Sequence, residues 1–173
     1  GSVSGLPPLA GGSYEFLNNG ERVMDDRLTF YYYATGSTPA MVKPEVGKGS
    51  VYEIGARDIN GEPLDGAKTY KVTLPAPIPA KDFWSFMVYD NQTRSILETD
   101  QVTGGLDSNS KDVKLHDDGS ATVYFGPKAP EGQEGNWVQT MPGKGYNVLL
   151  RLYGPLEPWF EKTWMPGDFE PVE

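Results

Sequence analysis

The residue types most capable of chemistry in this chain gather where the run Lys81–Asp90 meets the polar stretch Asn91-Gln92-Thr93-Arg94-Ser95. A strand rising about 3.3 Å per residue crosses a small core and surfaces at Asp90. Tyr89, Asp90 and Arg94 then stand together at the corner of a sheet or the rim of a pocket. Arg151 is the most informative charge. Alternation along Tyr146–Tyr153 puts Asn147, Leu149, Arg151 and Tyr153 on one face. An arginine inside an apolar strand requires a partner, because an unpaired buried charge is very costly. Structural pairing is the plainer reading, and an anion- or sugar-facing role is the sharper one. A pocket joining Tyr89, Asp90, Arg151 and Tyr153 combines the flat rings and the forked donor that saccharide or carboxylate ligands need. Trp137, in a Gly/Pro-rich loop, adds an exposed aromatic suited to sugar stacking or to a protein interface. The candidate ligand-binding set is therefore Tyr89, Asp90, Arg94, Trp137, Arg151 and Tyr153. The core of it, Tyr89, Asp90, Arg94 and Arg151, fails as a site if these side chains lie on opposite faces of the fold. The alternative for Asp90 is to cap a turn or to pair with Arg94 or Arg151.

Other chemistries find less support. The single histidine, His116, lies on a hairpin turn beside Asp117 and Asp118, whereas a nucleophilic serine needs its base held in a cleft. With no cysteine and one histidine, only hard, oxygen-liganded ions such as calcium remain. Asp58-Ile59-Asn60-Gly61-Glu62 resembles the start of a calcium loop but lacks the spacing to a final bidentate glutamate. Turn chemistry explains it as well. Among 24 acids some carboxylate pair will always suit glycoside hydrolysis; Asp90, Glu98 and Asp100 are the nearest to the polar turn. No catalytic residue, metal or cofactor is assigned, and whether the chain is an enzyme stays open.

Composition bounds the rest. The 173 residues suffice for one domain with a real core. The 21 glycines and 15 prolines read as many turns between short strands. A net charge of −9 leaves no electrostatic reason to bind nucleic acid or an anionic membrane. No apolar run approaches the about 20 residues of a spanning helix. The opening Gly1-Ser2-Val3-Ser4-Gly5 lacks the charged and apolar regions of a signal peptide.

The elements that must position these residues are read from periodicity. Residues 1–12 are loose, and 13–173 form one domain. Leu17, Met24, Leu28 and Tyr31 at helical spacing predict a short N-terminal helix over about 13–35. Strands are predicted at Ser50–Arg57, Lys68–Leu74, Phe83–Tyr89 and Tyr146–Tyr153, with a short one at Ser95–Leu97. A hairpin joins Val113–Leu115 to Ala121–Phe125 around Gly119. Asp58–Gly61 is a turn, Pro75–Pro79 cannot continue a ladder, and 126–144 is a long loop. A Pro- and Trp-rich tail follows Gly154, with one helical turn at Leu156–Lys162. Trp84 is expected in the core; Trp159 and Trp164 serve sugar stacking or a protein interface, or form a lid pinning the tail, which is the plainer reading. The fold class is mainly β, an antiparallel jelly-roll-like β-sandwich with a short N-terminal helix.

Several stretches carry a family resemblance: Tyr52–Asp58, Gly61–Gly66, Phe83-Trp84-Ser85, Val88-Tyr89-Asp90, Asn136-Trp137, Arg151–Pro155 and Thr163–Gly167. Over roughly residues 35–172 the chain resembles the bacterial "domain of unknown function 1214". That domain usually forms the C-terminal part of proteins that begin with "domain of unknown function 1254". The resemblance implies a jelly-roll-type sandwich and an exported, periplasmic or extracellular protein. It supplies no catalytic residues. A non-catalytic binding or assembly domain is the leading expectation, as a homo-oligomer or beside a missing N-terminal partner domain. The alternative is an enzyme or binding module for a carbohydrate or other small polar ligand.

Overall fold

The computed structural model describes residues 45–101 and 103–172, together with 17–18, 21–22 and 24. The chain divides into two compact units, 1–44 and 45–173. In the first, strand β1 (Leu17–Asn18) pairs antiparallel with β2 (Glu21–Arg22). The helix expected over about 13–35 otherwise lies outside the described residues.

The second unit holds two four-stranded sheets. One has the order β3 (Ser50–Gly55), β9 (Tyr146–Pro155), β5 (Ala80–Asp90), β6 (Gly105–Asp107), and every pairing in it is antiparallel. The other has the order β10 (Glu170–Val172), β4 (Thr69–Leu74), β7 (Ala121–Gly126), β8 (Trp137–Gln139). The period-two pattern explains the burial. Tyr70, Val72 and Leu74 of β4, with Val123 and Phe125 of β7, are buried. Trp84, Phe86 and Val88 of β5 and Val148, Leu150 and Leu152 of β9 are buried as well. Phe86 meets Phe125 edge-on across the core, with ring centroids 5.3 Å apart. Such a pair adds about 0.5–1.5 kcal/mol beyond its buried area.

The second sheet is mixed rather than purely antiparallel, because β8 runs parallel to β7. Residues 127–136 carry the chain back to the middle of β7, opposite Tyr124, ending in a 3₁₀ turn at Glu134–Asn136. Buried Asn136 secures this crossover. Its Nδ2 donates to the carbonyls of Lys114 and Thr122 (2.8 Å each), and its Oδ1 accepts from the Lys114 N–H (2.7 Å). Outside β8, the Gln101 side chain imitates a further strand: Oε1 accepts from the Gln139 N–H and Nε2 donates to the Trp137 carbonyl. Trp137 is thus a half-buried strand residue whose Nε1 donates to the Gly126 carbonyl (2.9 Å), not an exposed loop aromatic.

Two other expectations shift. Val113–Leu115 forms no strand; the turn closes by the His116 N–H donating to the Ser120 carbonyl (2.8 Å), with Gly119 at φ +83°. Ser95–Leu97 reduces to a single bridge between Ile96 and Tyr89. The tail behaves as a lid. After α1 (Glu157–Phe160), Trp164 Nε1 donates to the Pro75 carbonyl (2.8 Å) and Trp159 Nε1 to Glu53 (3.0 Å). Phe169 then packs over Gly55, where any Cβ would collide with its ring. No helix among the described residues is long and apolar enough to cross a membrane.

Candidate functional site

Because directly paired residues share a face, the register of the β3–β9–β5–β6 sheet defines its outer surface row by row. Tyr52, Arg151, Ser85 and Asp107 form one row across the four strands. Ile54, Leu149 and Met87 form the next. Phe83 and Tyr153 pair on the other side of Arg151 and stack with centroids 4.0 Å apart and planes at 14°. The chain therefore puts one guanidinium in the middle of a sheet face whose neighbouring rows are apolar and aromatic and whose own row carries Tyr52, Ser85 and Asp107.

Arg151 is held by neutral partners. Its Nη1 donates to the Tyr153 hydroxyl (3.4 Å) and its Nη2 to the Tyr89 hydroxyl (3.3 Å). The guanidinium carbon lies 5.4 Å from the centre of the Tyr52 ring, within cation–π range. Its Nε is buried with no partner. The ion pairs of the described residues are Lys48–Glu45, Lys71–Glu170 and Lys144–Asp90, and none includes Arg151. The Tyr153 hydrogen bond, foremost, pushes the arginine pKa up, so the charge is permanent.

Tyr89, Arg151 and Tyr153 are brought together as the spacing suggested, and Arg94 lines an open depression of about 430 Å³ with Tyr89, Asn91 and Asn147 at the end of the same face. Asp90 is not part of this group. One residue beyond Tyr89, it faces the core side of the sheet and is 5% exposed. Its Oδ1 accepts from the N–H groups of Gln92 (2.7 Å) and Thr93 (3.3 Å), and its Oδ2 from Lys144 Nζ (2.8 Å). It does cap a turn, but its ionic partner is Lys144 rather than Arg94 or Arg151. The Lys144 hydrogen bond, then the turn amides, hold its carboxyl below the ordinary carboxylate range. The cluster of Tyr89, Asp90, Arg94 and Arg151 is thus split between two faces by strand alternation. Trp137 belongs to the opposite sheet.

Asp90 and Lys144 instead border an open cleft of about 690 Å³ that also takes in Glu98, Asp100 and Gln139. The carboxyl groups whose pKa is displaced, Glu45, Asp90 and Asp118, all move downward, away from what a general acid needs at neutral pH. The turn at Asp58 also resolves into backbone capping. Its Oδ1 accepts from the N–H groups of Asn60 (2.9 Å) and Glu62 (3.0 Å). No cluster of potential metal ligands occurs among the described residues. His116 is exposed and bonds to the Thr122 hydroxyl.

Sequence reasoning missed Ser85, Asp107, Tyr52 and Lys144. Ser85 was legible from the alternation of β5, since it must face away from Trp84 and Phe86. Tyr52 follows from the β3 pattern once its pairing with β9 is known. Asp107 and Lys144 sit in Gly- and Pro-rich polar stretches without periodicity, and no local signal marks them.

A family model described as "protein of unknown function (DUF1214)" matches residues 49–157, which contain β3 to β9. No curated protein matches the sequence. The crystal structure of the VPA0106 protein from Vibrio parahaemolyticus is similar to this chain with a TM-score of 0.65 at 21% identity. The similarity covers 89% of this chain and 36% of that one, and it establishes a shared fold. An uncharacterized protein from Burkholderia cenocepacia matches at 23% identity and a TM-score of 0.47, over 74% of this chain and 31% of that one. The chain thus spans about a third of the length of these proteins.

Proposed function

The chain belongs to the DUF1214 family, and we propose that it is a non-catalytic binding domain that works through the outer face of its β3–β9–β5–β6 sheet. One observation carries this reading: Arg151 has phenol and ring partners on its sheet face and no carboxylate within ion-pair distance. A guanidinium left this way has spare donors in the fork geometry that matches an anionic or polyhydroxyl ligand. The cleft beside Asp90 is larger, yet Lys144, the one cation among its lining residues, is already paired with Asp90 at 2.8 Å. An anion binding there would have to compete with Asp90 for that lysine.

The test is a binding screen of the chain against small carboxylates, amino acids and sugars, read by chemical-shift mapping and titration. At least one ligand should bind, and Arg151→Met should weaken it tenfold or more with the fold intact. No hit, or hits that survive Arg151→Met but vanish in Lys144→Met, overturns the reading.

A second reading, assembly with another polypeptide, is favoured by Tyr52 and Ile54, which are 48% and 71% exposed on the same face. It fits either a homo-oligomer or a partner domain in a protein as long as its structural relatives. If the contact is with a second copy, sedimentation should show self-association that Ile54→Lys abolishes. We read the sandwich as jelly-roll-like, supported by the crossings from β3 to β4, β4 to β5, β6 to β7, β8 to β9 and β9 to β10 between sheets. The expectation of an exported protein, periplasmic or extracellular, rests on the resemblance alone. Fractionation of cells making the native gene product tests it.

A further inference from the structure

We infer that the outer sheet face contains a site for a small zwitterion of the α-amino-acid class, bound between Arg151 and Asp107. This rests on the proposed working face and names its ligand chemistry. A pocket of about 230 Å³ opens on that face, bounded by Phe83, Ser85, Asp107, Ser110, Arg151 and Tyr153. It is smaller than the roughly 300–1,000 Å³ of sites for drug-sized ligands, so it takes a compound of amino-acid size.

The charges in it are arranged by register. Ser85 pairs with Arg151 on one side and with Asp107 on the other. Arg151 and Asp107 are therefore two strands apart, about 10 Å between their Cα atoms, with Ser85 on the floor between them. Both line the pocket, yet they form no ion pair with each other. Asp107 Oδ1 accepts from the Asn109 N–H (2.9 Å), which fixes the carboxylate in its turn. The stacked rings of Phe83 and Tyr153 supply an apolar wall.

One fixed cation and one fixed anion facing the same small space select by charge pattern. A plain carboxylic acid reaches Arg151 but meets repulsion from Asp107. A plain amine has the reverse difficulty. A molecule carrying both groups a few ångströms apart satisfies both ends and leaves its side chain against the rings. A neutral sugar would use neither charge fully.

The experiment compares L-leucine with its two halves, 4-methylpentanoate and 3-methylbutylamine, by titration calorimetry and chemical-shift mapping on the 173-residue chain. L-Leucine should bind at least tenfold more tightly than either half, with shifts at Ser85, Asp107 and Tyr153. Arg151→Met should weaken L-leucine tenfold or more. Asp107→Asn should weaken L-leucine and strengthen 4-methylpentanoate, because it removes the repelling charge without changing size. The second variant keeps the test informative if the first proves unstable. Wild-type binding of 4-methylpentanoate equal to or tighter than L-leucine overturns the inference, as does an unchanged ratio in Asp107→Asn. If a carboxylate or sugar binds through Arg151 without zwitterion preference, the zwitterion site falls and the working face stands. If nothing binds through Arg151, both fall.

Discussion

Truncating Asn136 to alanine should cost this domain about 3–5 kcal/mol, and the figure follows from three hydrogen bonds. The amide is 4% exposed. It donates to the carbonyls of Lys114 and Thr122 and accepts from the Lys114 N–H, all at 2.7–2.8 Å. Alanine deletes all three at once. Lys114 is exposed, so water can reach its backbone groups, and each costs only the net worth of a hydrogen bond, about 1 kcal/mol. Thr122 is a half-buried residue of β7, and orphaning its carbonyl costs about 1–3 kcal/mol. For a chain of this size each kcal/mol moves the midpoint by roughly 2–4 °C. Thermal denaturation followed by circular dichroism at pH 7 should therefore show Tm falling by roughly 6–20 °C. Asn136→Asp sharpens the test. It keeps an acceptor for the Lys114 N–H but turns a negative oxygen toward two carbonyls, so it should be worse than alanine. A loss under about 3 °C for alanine would refute the claim that this side chain secures the β7–β8 crossover. An aspartate variant more stable than the alanine one would refute the orientation of the amide.

Three further outcomes are expected. Tyr146 is fully buried and its hydroxyl has no partner; burial pushes that hydroxyl's pKa up. Tyr146→Phe removes an unsatisfied donor and should raise stability by about 1 kcal/mol, seen as a higher urea midpoint with an unchanged slope; a lower midpoint would mean the hydroxyl is bonded after all. Asp90 has a depressed pKa, so its contribution is complete above the ordinary carboxylate value of 3.8 and is lost as pH falls through its lower folded value. The Tm difference between the wild type and Lys144→Met should thus be constant from neutral pH to about pH 5 and shrink below about pH 4; a difference that grows in acid contradicts the pairing. Phe169 packs on Phe125, with centroids 5.4 Å apart, and covers Gly55. Phe169→Ala should cost about 3–5 kcal/mol, and chemical denaturation showing less than about 1 kcal/mol would mean the tail is not a lid.

Sequence alone determined what depends on neighbours along the chain. Strand alternation in Lys68–Leu74 declared which residues turn inward, because side chains must alternate across a pleat, whereas Phe83–Tyr89 and Tyr146–Tyr153, apolar on both faces, showed themselves only as central strands. Glycine and the small polar residues marked the turns at Asp58–Gly61 and His116–Ser120, and proline closed off Pro75–Pro79 as a strand. The same rule put Arg151 and Tyr153 on one face. Applied to Tyr89 and Asp90, adjacent in one strand, it separates them, against the single pocket expected to hold both. What only the tertiary structure decided is who stands beside whom across strands. Register set Ser85 between Arg151 and Asp107, joined Lys144 to Asp90 across 54 residues, and drew Trp137 out of its loop into a parallel edge strand. These contacts join segments whose local sequences carry no record of each other. They arise when burying two apolar sheet faces against one another fixes the pairing, and the polar side chains then take the partners that register leaves them.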